Sequence, residues 1–169
     1  MTLTTHGILG AATASLLPGS YPIAWTAAFL SHFLSDAIPH WDYHTHSMKK
    51  ALNPLMSDFV ITRKSGVDIA KIAVDFGLGM FLGYLLFYSP SYNPWLLLGG
   101  AFFGILPDPL QFLYWKTRRE PLTSLQKFHV GIHAKTRIQE WYVGIPVQIA
   151  IILVATGLAY ELQNIIIHL

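Results

Sequence analysis

Charged residues and cysteines are what this sequence has least of. Only 12% of its 169 residues are charged, against roughly 25% in an ordinary soluble domain, while 53% are hydrophobic. A soluble fold of this size needs more polar surface, so we expect an exterior that faces lipid. The absence of cysteine excludes disulfides, iron–sulfur clusters and thiolate zinc sites. The net charge of only +2 implies no broad field for nucleic acid, so no nucleic-acid partner is expected.

Apolar stretches occupy most of the chain. Their approximate ranges are 3–17, 22–38, 67–88, 94–115 and 141–168. Because a full crossing of a bilayer takes roughly 20 residues, the last three are long enough, while the first two are short and suit a thin or partly re-entrant hairpin. We therefore predict an all-α integral membrane protein, with residues 1–169 forming a single membrane domain of about five transmembrane helices.

Basic residues fall on one side of this arrangement. All 11 lysines and arginines lie in the segments 40–66 and 116–139, or at Lys71 near the basic end of the third stretch. The positive-inside rule makes that side cytoplasmic. We therefore expect a bacterial inner-membrane protein with its N-terminus inside and its C-terminus outside.

Carboxylates recur at one depth. Asp36, Asp75 and Asp108 each lie about 14 residues from the outer turn of their stretch, which corresponds to about 21 Å along a helix. His6 reaches a similar depth, and His32 lies about one turn deeper. Ionisable groups inside a membrane are costly and therefore suggest function. The spacing predicts a polar layer near the cytoplasmic surface.

Ligand-type side chains crowd the end of the second stretch. His32 and Asp36 share a helical face, Pro39 is expected to end the helix, and His40 and Asp42 follow. Imidazoles and carboxylates are the usual ligands of zinc, manganese and iron. Four such residues within eleven positions predict a metal site.

A short interfacial amphipathic helix is expected in the second basic segment. Leu125, Phe128, His129, Ile132 and His133 fall on one helical stripe, which should face the protein. Two histidines four residues apart on one helix face form a recurring metal-chelating arrangement.

Glycine stripes mark the third and fourth stretches. Gly79 and Gly83 follow Asp75 at intervals of four, and Gly100 and Gly104 precede Asp108 at the same interval. Small residues let helix backbones approach closely. We expect the two stripes to pack against each other, with Asp75 beside Asp108.

Simpler roles remain open for several of these residues. Asp42 could cap a turn, and Asp75 could pair with Lys71 one turn away on its own helix. Single histidines in membranes usually pack and form hydrogen bonds. We expect His44, His46 and His168 to be surface or interface residues.

A family resemblance rests on short motifs. Thr5-His6 before an apolar helix, Ser31-His32 with Asp36, Leu106-Pro107-Asp108, and His129 with His133 resemble motifs of bacterial inner-membrane proteins known as membrane-bound metal-dependent hydrolases. The resemblance covers four separate segments. It departs from the family after Asp108, where a second Asp and a His are missing, and around His129, where an Arg and a Thr are missing. The pair Pro39-His40 with Asp42 could supply the missing ligands.

The resemblance implies a metal-dependent hydrolase at the cytoplasmic face of the membrane, acting on a phosphoester or an anionic lipid headgroup. Zinc is the expected divalent metal, with manganese or iron as alternatives. The expected ligands or their close supports are His6, His32, Asp36, His40, Asp108, His129 and His133. Asp42 or Asp75 would be the general base. The alternative is a non-enzymatic membrane adaptor or structural protein in which the His/Asp cluster only ties helices together. A transporter is disfavoured because the outer halves of the first four stretches lack ionisable groups.

Overall fold

The computed structural model describes residues 1–90 and 92–167, with no description of the side chains of residues 166 and 167. The predicted surface position of His168 lies outside the described residues. The described chain is mostly helical. Its α-helices are α1 (Leu3–Ser15), α2 (Tyr21–Asp36), α3 (Ser65–Phe87), α4 (Pro94–Ile105), α5 (Pro107–Thr117), α6 (Leu122–Ile132) and α7 (Trp141–Ile167).

A small extended element lies between α2 and α3. Strands β1 (Met48–Lys49) and β2 (Asp58–Phe59) pair antiparallel, with Met48 opposite Phe59, and a 3₁₀ turn at Pro54–Met56 connects them. Lys116 of α5 forms an ion pair with Asp58 at 2.7 Å. This element therefore attaches the basic segment to the end of α5.

Helices of membrane-spanning length are fewer than the sequence predicts. Among the described residues, α3 and α7 are long and apolar enough to cross a bilayer, and α4 with α5 makes a third candidate, bent by 44°. Both α3 and α7 expose large apolar side chains, such as Leu78 and Leu153, as lipid-facing helices do. The five predicted stretches are helical, but α1 and α2 have only 13 and 16 residues, and five complete crossings are not confirmed.

Helix α1 is the centre of the bundle. Eleven of its residues are buried, and it packs against α2, α3, α4 and α7. A Cβ at Gly79 of α3 would lie 2.8 Å from the carbonyl oxygen of Leu3, and one at Gly104 of α4 would lie 2.6 Å from that of His6. The expected packing of the two glycine stripes against each other is therefore wrong, because both stripes pack against the backbone of α1.

The amphipathic helix is present as α6. His129 is buried as expected, and His133 follows directly as the C-cap residue. The predicted stripe is wrong at Phe128, which is half exposed, whereas Gln126 is buried. The buried face of α6 is therefore rotated from the predicted stripe, since Gln126 and His129 are three residues apart on one face.

Candidate metal centre

The Asp36 carboxylate, at the end of α2, is the centre of a cluster of imidazoles. Its side chain is only 2% exposed. Oδ1 lies 3.2 Å from Nε2 of His6 and 3.7 Å from Nε2 of His40. Oδ2 lies 3.3 Å from Nε2 of His32 and 3.0 Å from Nε2 of His129. One buried carboxylate thus has ring nitrogens on both of its oxygens.

One group with metal-ligand spacing contains His32, Asp36, Asp108 and His129, whose ligand atoms all lie within 4.8 Å of one another. Nε2 of His32 is 3.4 Å from Nε2 of His129 and 3.7 Å from Oδ1 of Asp108. Ligand atoms bound to one zinc ion at about 2.1 Å lie about 3 to 3.5 Å apart. The group therefore needs only small movements to surround an ion.

A second group contains Asp36, His40 and His133. Nε2 of His133 lies 3.9 Å from Oδ2 of Asp36, and Oδ1 of Asp42 lies 3.4 Å from Nε2 of His40. Asp36 therefore belongs to both groups, and its carboxylate would help to hold an ion in either of them.

Hydrogen bonds at Nδ1 orient four of these rings. The pairs are His32 with the Gly104 carbonyl at 2.9 Å, His40 with the Ile38 carbonyl at 2.7 Å, His133 with the Ala134 carbonyl at 3.1 Å, and His6 with the Ser35 hydroxyl at 3.1 Å. A carbonyl oxygen only accepts, so in three rings Nδ1 carries a proton, and Nε2 faces the cluster with a lone pair whenever the ring is neutral. This is how metal-binding histidines are usually held.

Two buried ring nitrogens show whether the residues present suit a metal ion. Nε2 of His6 and Nε2 of His40 are buried and have no hydrogen-bond partner within the described part of the chain. A buried nitrogen without a partner costs about 1–3 kcal/mol. Both atoms face Asp36, whose Oδ1 already accepts a hydrogen bond from the Met1 amino group at 3.1 Å. A cation beside that carboxylate would satisfy the two ring nitrogens as well. The donor set of neutral imidazoles and carboxylates fits a divalent ion of the zinc, manganese or iron class.

The chain segments that follow α2 and α6 bring His40 and His133 together. The backbone N–H of Ala134 donates to the carbonyl of Asp36 at 2.8 Å, and that of Ile138 donates to the carbonyl of His40 at 3.1 Å. The rings of His40 and His133 are 4.9 Å apart as a result. Asp36 ends α2 just before Pro39, so its carbonyl is free to accept this bond.

A bend between α4 and α5 places Asp108. Leu106 joins the two helices and Pro107 begins α5, which explains the 44° bend, since proline disrupts a continuous helix. Asp108 then lies in the first turn of α5 with a side-chain exposure of 29%. It is thus on the open side of the cluster.

Asp42 lies at the same open side, with a side-chain exposure of 31%. Its Oδ2 accepts a hydrogen bond from Arg137 at 3.0 Å, and its Oδ1 is 3.0 Å from the Met1 amino nitrogen. Burial opposes the charged form, but the contact with His40 and the neighbouring ammonium outweigh it, so the pKa of Asp42 lies well below its usual range. Asp42 is therefore ionised at neutral pH. Burial also lowers the pKa of His133, which keeps that ring neutral.

Asp75, the other expected general base, contacts the start of α1. Its carboxylate accepts hydrogen bonds from the backbone N–H groups of Leu3 and Thr4 at 2.8 and 2.9 Å, and from the Thr4 hydroxyl at 2.6 Å. The first N–H groups of a helix have no partners within it, so Asp75 caps α1. These contacts give it a structural role, in place of the expected alternative pairing with Lys71.

His44 and His46 lie outside the cluster. Both are exposed, as expected, and their rings contact each other at 4.9 Å.

Two supporting residues were missed in the sequence. Ser35 orients His6, and Gln148 of α7 accepts from Thr2 and Thr5 and donates to the Trp41 carbonyl. Gln148 is buried in an otherwise apolar helix, and such a polar residue is a recognisable sign of an interhelical contact. Ser35 has no comparable signal, because serine in a helix often bonds to its own backbone.

No protein-family model matches this sequence, and no curated protein or solved structure matches it either. The function is therefore argued from the geometry of the site.

Proposed function

We propose that this protein is a membrane-embedded, metal-dependent hydrolase that acts on a phosphoester at one face of the bilayer. The observation that carries the proposal is the convergence of four Nε2 atoms on the two oxygens of Asp36, with two of them buried and unpartnered among the described residues. Hydrogen bonds alone leave these atoms unsatisfied, whereas divalent cations would satisfy them.

The proposed ligands divide between two positions around Asp36. His32, His129 and Asp108 would bind on one side, and His40 and His133 on the other. His6, whose Nε2 lies 3.2 Å from Oδ1 of Asp36, would be a ligand or a close support. Zinc is the proposed metal, with manganese or iron as alternatives. When bound, it would lower the pKa of a water ligand and polarise the phosphoester.

Asp42 is the proposed general base. It is partly open to solvent and adjacent to His40, so its carboxylate can accept a hydrogen bond from the attacking water and orient it. Because the pKa of Asp42 is low, it takes the proton only from a water whose own pKa is lowered at the site. The water oxygen would bond to phosphorus, the ester P–O bond would break, and the leaving oxygen would take a proton from solvent. Arg137, which is 42% exposed, would hold the anionic substrate beside the site. Asp75 is not proposed as a base, because its contacts already cap α1.

The proposed location is the bacterial inner membrane, with the metal centre at the cytoplasmic side. The support is the position of a basic residue of the second basic segment: Arg137 pairs with Asp42 at 3.0 Å, and Asp42 lies 3.4 Å from His40 of the cluster. An anionic lipid surface would favour the side on which this basic residue lies. The N-terminus would then be inside and the C-terminus outside.

A structural tie is the competing function. The cluster joins α1, α2, α5 and α6 through Asp36 and its imidazole neighbours, so a bound metal could stabilise an adaptor protein without any reaction. Hydrolysis and metal binding must therefore be measured separately.

The test uses protein purified in detergent, with metal content determined by elemental analysis and activity measured on bis(4-nitrophenyl) phosphate. Asp42→Asn should keep the metal and lose roughly 100-fold or more in kcat, as expected for removal of a general base. Asp36→Asn should lose both metal and activity. Asp58→Asn is the control, since this exposed carboxylate pairs with Lys116, and it should change neither.

Each outcome decides between the functions. Bound metal with no hydrolysis of this ester or of a phosphomonoester would favour the structural tie. Wild-type protein that neither contains metal nor gains stability from added zinc or manganese would contradict both metal functions.

A further inference from the structure

An apolar groove runs along the outside of the bundle between α2 and α7, with α1 as its floor. Its volume is about 380 Å³. Leu9 and Ala12 of α1 form part of the floor, Leu34 and Ile38 line one wall, and Ala155 and Leu158 line the other. The groove is open along its length, toward the region that lipid would occupy.

The hydroxyl groups that line the groove already have hydrogen-bond partners and need none from a bound molecule. Its three hydroxyls each donate to a backbone carbonyl of their own helix: Thr13 to Leu9 at 2.8 Å, Ser31 to Ala28 at 2.7 Å and Ser35 to His32 at 2.8 Å. Since every polar donor is already satisfied, the surface offered to an occupant is hydrocarbon-like. This favours an aliphatic chain.

The dimensions of the groove suit one extended chain. Along α7 its lining runs from Ile151 to Leu162, which corresponds to about 16 Å of helix. This direction follows the helix axes, as lipid chains do in a bilayer. The groove is therefore elongated, unlike a compact pocket for a rigid ligand.

One end of the groove lies at the metal centre. Ser35 lines the groove, and its hydroxyl is 3.1 Å from Nδ1 of His6. Asp36 follows Ser35 directly and faces inward. The carbonyl of Ile38, at the same end of the groove, accepts a hydrogen bond from Nδ1 of His40 at 2.7 Å, and Nε2 of His40 lies 3.4 Å from Oδ1 of Asp42. A molecule with its chain in the groove would therefore place its polar end at the His40 side of the cluster.

We propose that the groove binds an acyl chain of a membrane phospholipid, whose phosphoester then reaches the metal centre. The proposal rests on the proposed function for the reaction and names its substrate class. Hydrolysis would add water across one P–O ester bond of the headgroup and release an alcohol and a phosphate. The groove explains how a site at the membrane surface selects a lipid over a soluble phosphoester, because a phospholipid whose chain lies in the groove has its headgroup positioned at the site, whereas a soluble ester is not positioned in this way.

A second depression on α2 provides a matched control. It has a volume of about 370 Å³ and is lined by Pro22, Ile23, Thr26, Ala27 and Leu30. None of these residues contributes to the cluster around Asp36. A chain in this depression would be an ordinary boundary lipid.

The test reconstitutes the full protein in nanodiscs that contain phosphatidic acid with a photoreactive diazirine in one acyl chain. After illumination, mass spectrometry should find label on 9–16 and 151–162 at several times the level found on 22–30. Ala155→Trp places a large side chain in the groove from α7. Because extra volume in an apolar site excludes other groups, this variant should reduce the labelling by about fivefold or more. Ala27→Trp should leave it unchanged. Leu34→Trp, on the opposite wall, replaces Ala155→Trp if that variant does not fold.

Equal labelling of the groove and of 22–30, unaffected by either groove variant, would show boundary lipid only and overturn the proposal. Activity separates this result from the proposed function. Hydrolysis of the soluble ester without selective labelling would support the proposed hydrolase function and contradict the lipid substrate. Selective labelling without any hydrolysis would support the lipid-binding site and contradict the hydrolase function. Where both hold, the groove variant should raise KM for the lipid about tenfold and leave kcat for the soluble ester unchanged.

Discussion

Histidine residues in this protein differ mainly in what holds Nδ1. In the cluster, a carbonyl or hydroxyl fixes Nδ1 and leaves Nε2 facing Asp36. His44 and His46, by contrast, contact each other at the surface. Burial and ring orientation, more than the number of histidines, therefore distinguish the candidate ligands from the others.

His129→Ala should weaken zinc binding by tenfold or more, because Nε2 of His129 lies 3.0 Å from Asp36 and is a proposed metal ligand. Loss of a residue that only orients a ligand lowers metal affinity by about 10- to 100-fold, and loss of a ligand should lower it at least as much. Equilibrium dialysis with zinc measures the affinity. His44→Ala is the matched control and should bind like wild type. Equal loss in both variants would mean that the metal binds elsewhere.

Asp75→Ala should lower the free energy of unfolding by about 1–2 kcal/mol, the usual effect of removing a helix cap. The measurement is chemical denaturation in detergent, followed by circular dichroism. The kcat of the folded fraction should stay at the wild-type value, since Asp75 bonds to Leu3 and Thr4. A loss of kcat with unchanged stability would restore Asp75 as a general base.

The sequence could predict the depth of these side chains but not their rotation about the helix axis. Asp36, Asp75 and Asp108 occupy similar depths in a simple count, yet Asp36 faces imidazoles and Asp75 faces the start of α1. Rotation depends on which helices are neighbours, and helical periodicity alone does not identify the neighbour. The sequence alone therefore could not distinguish Asp75, which caps a helix, from the candidate metal ligands.

At the scale of elements, the central helix is α1, which is short and largely buried. The glycine stripes of α3 and α4 were recognisable, but their partner was not. A stripe of small residues specifies a close approach of backbones and leaves open which helix approaches. Gly7 and Gly10 of α1 are also closely packed, Gly7 against Gly79 and Gly10 against Gly100 and Gly104.

Gly79→Ala should destabilise the protein by about 1–3 kcal/mol, as overpacking does, because its Cβ would lie 2.8 Å from the Leu3 carbonyl oxygen. Gly77→Ala, on the same helix with no atom within 4 Å of its Cβ, should be neutral or slightly stabilising, since alanine favours helix. Thermal unfolding in one detergent compares the two. Equal stability of both variants would contradict the central position of α1.

At the scale of the whole molecule, the predicted helical stretches are confirmed, whereas the predicted number of membrane crossings is not. Apolar stretches mark helices both in contact with lipid and inside a bundle, and α1 shows the second case. Length then decides whether a helix crosses, and α1 and α2 have only 13 and 16 residues. Which end of the bundle faces the cytoplasm stays a prediction of the positive-inside rule applied to the basic segments.

Cysteines at opposite ends of the bundle test this orientation. The two positions are Pro90 and Ser124, and both are exposed. Pro90 is chosen for the turn after α3 because its neighbour Ser91 lies outside the described residues. A membrane-impermeant maleimide applied to intact cells should label Pro90→Cys, and Ser124→Cys should react only after permeabilisation. Labelling of both from outside would contradict the topology.

The distribution of the cluster along the chain has a consequence for biosynthesis. Its residues begin at His6 and are complete only at His133, after α6 has formed. While the chain is being synthesised, α1 and α2 would enter the membrane with Asp36 still lacking His129 and His133. In the proposed function, metal loading would therefore be a late event in the maturation of each molecule, because a chain that ends before α6 lacks two of the imidazoles that face Asp36.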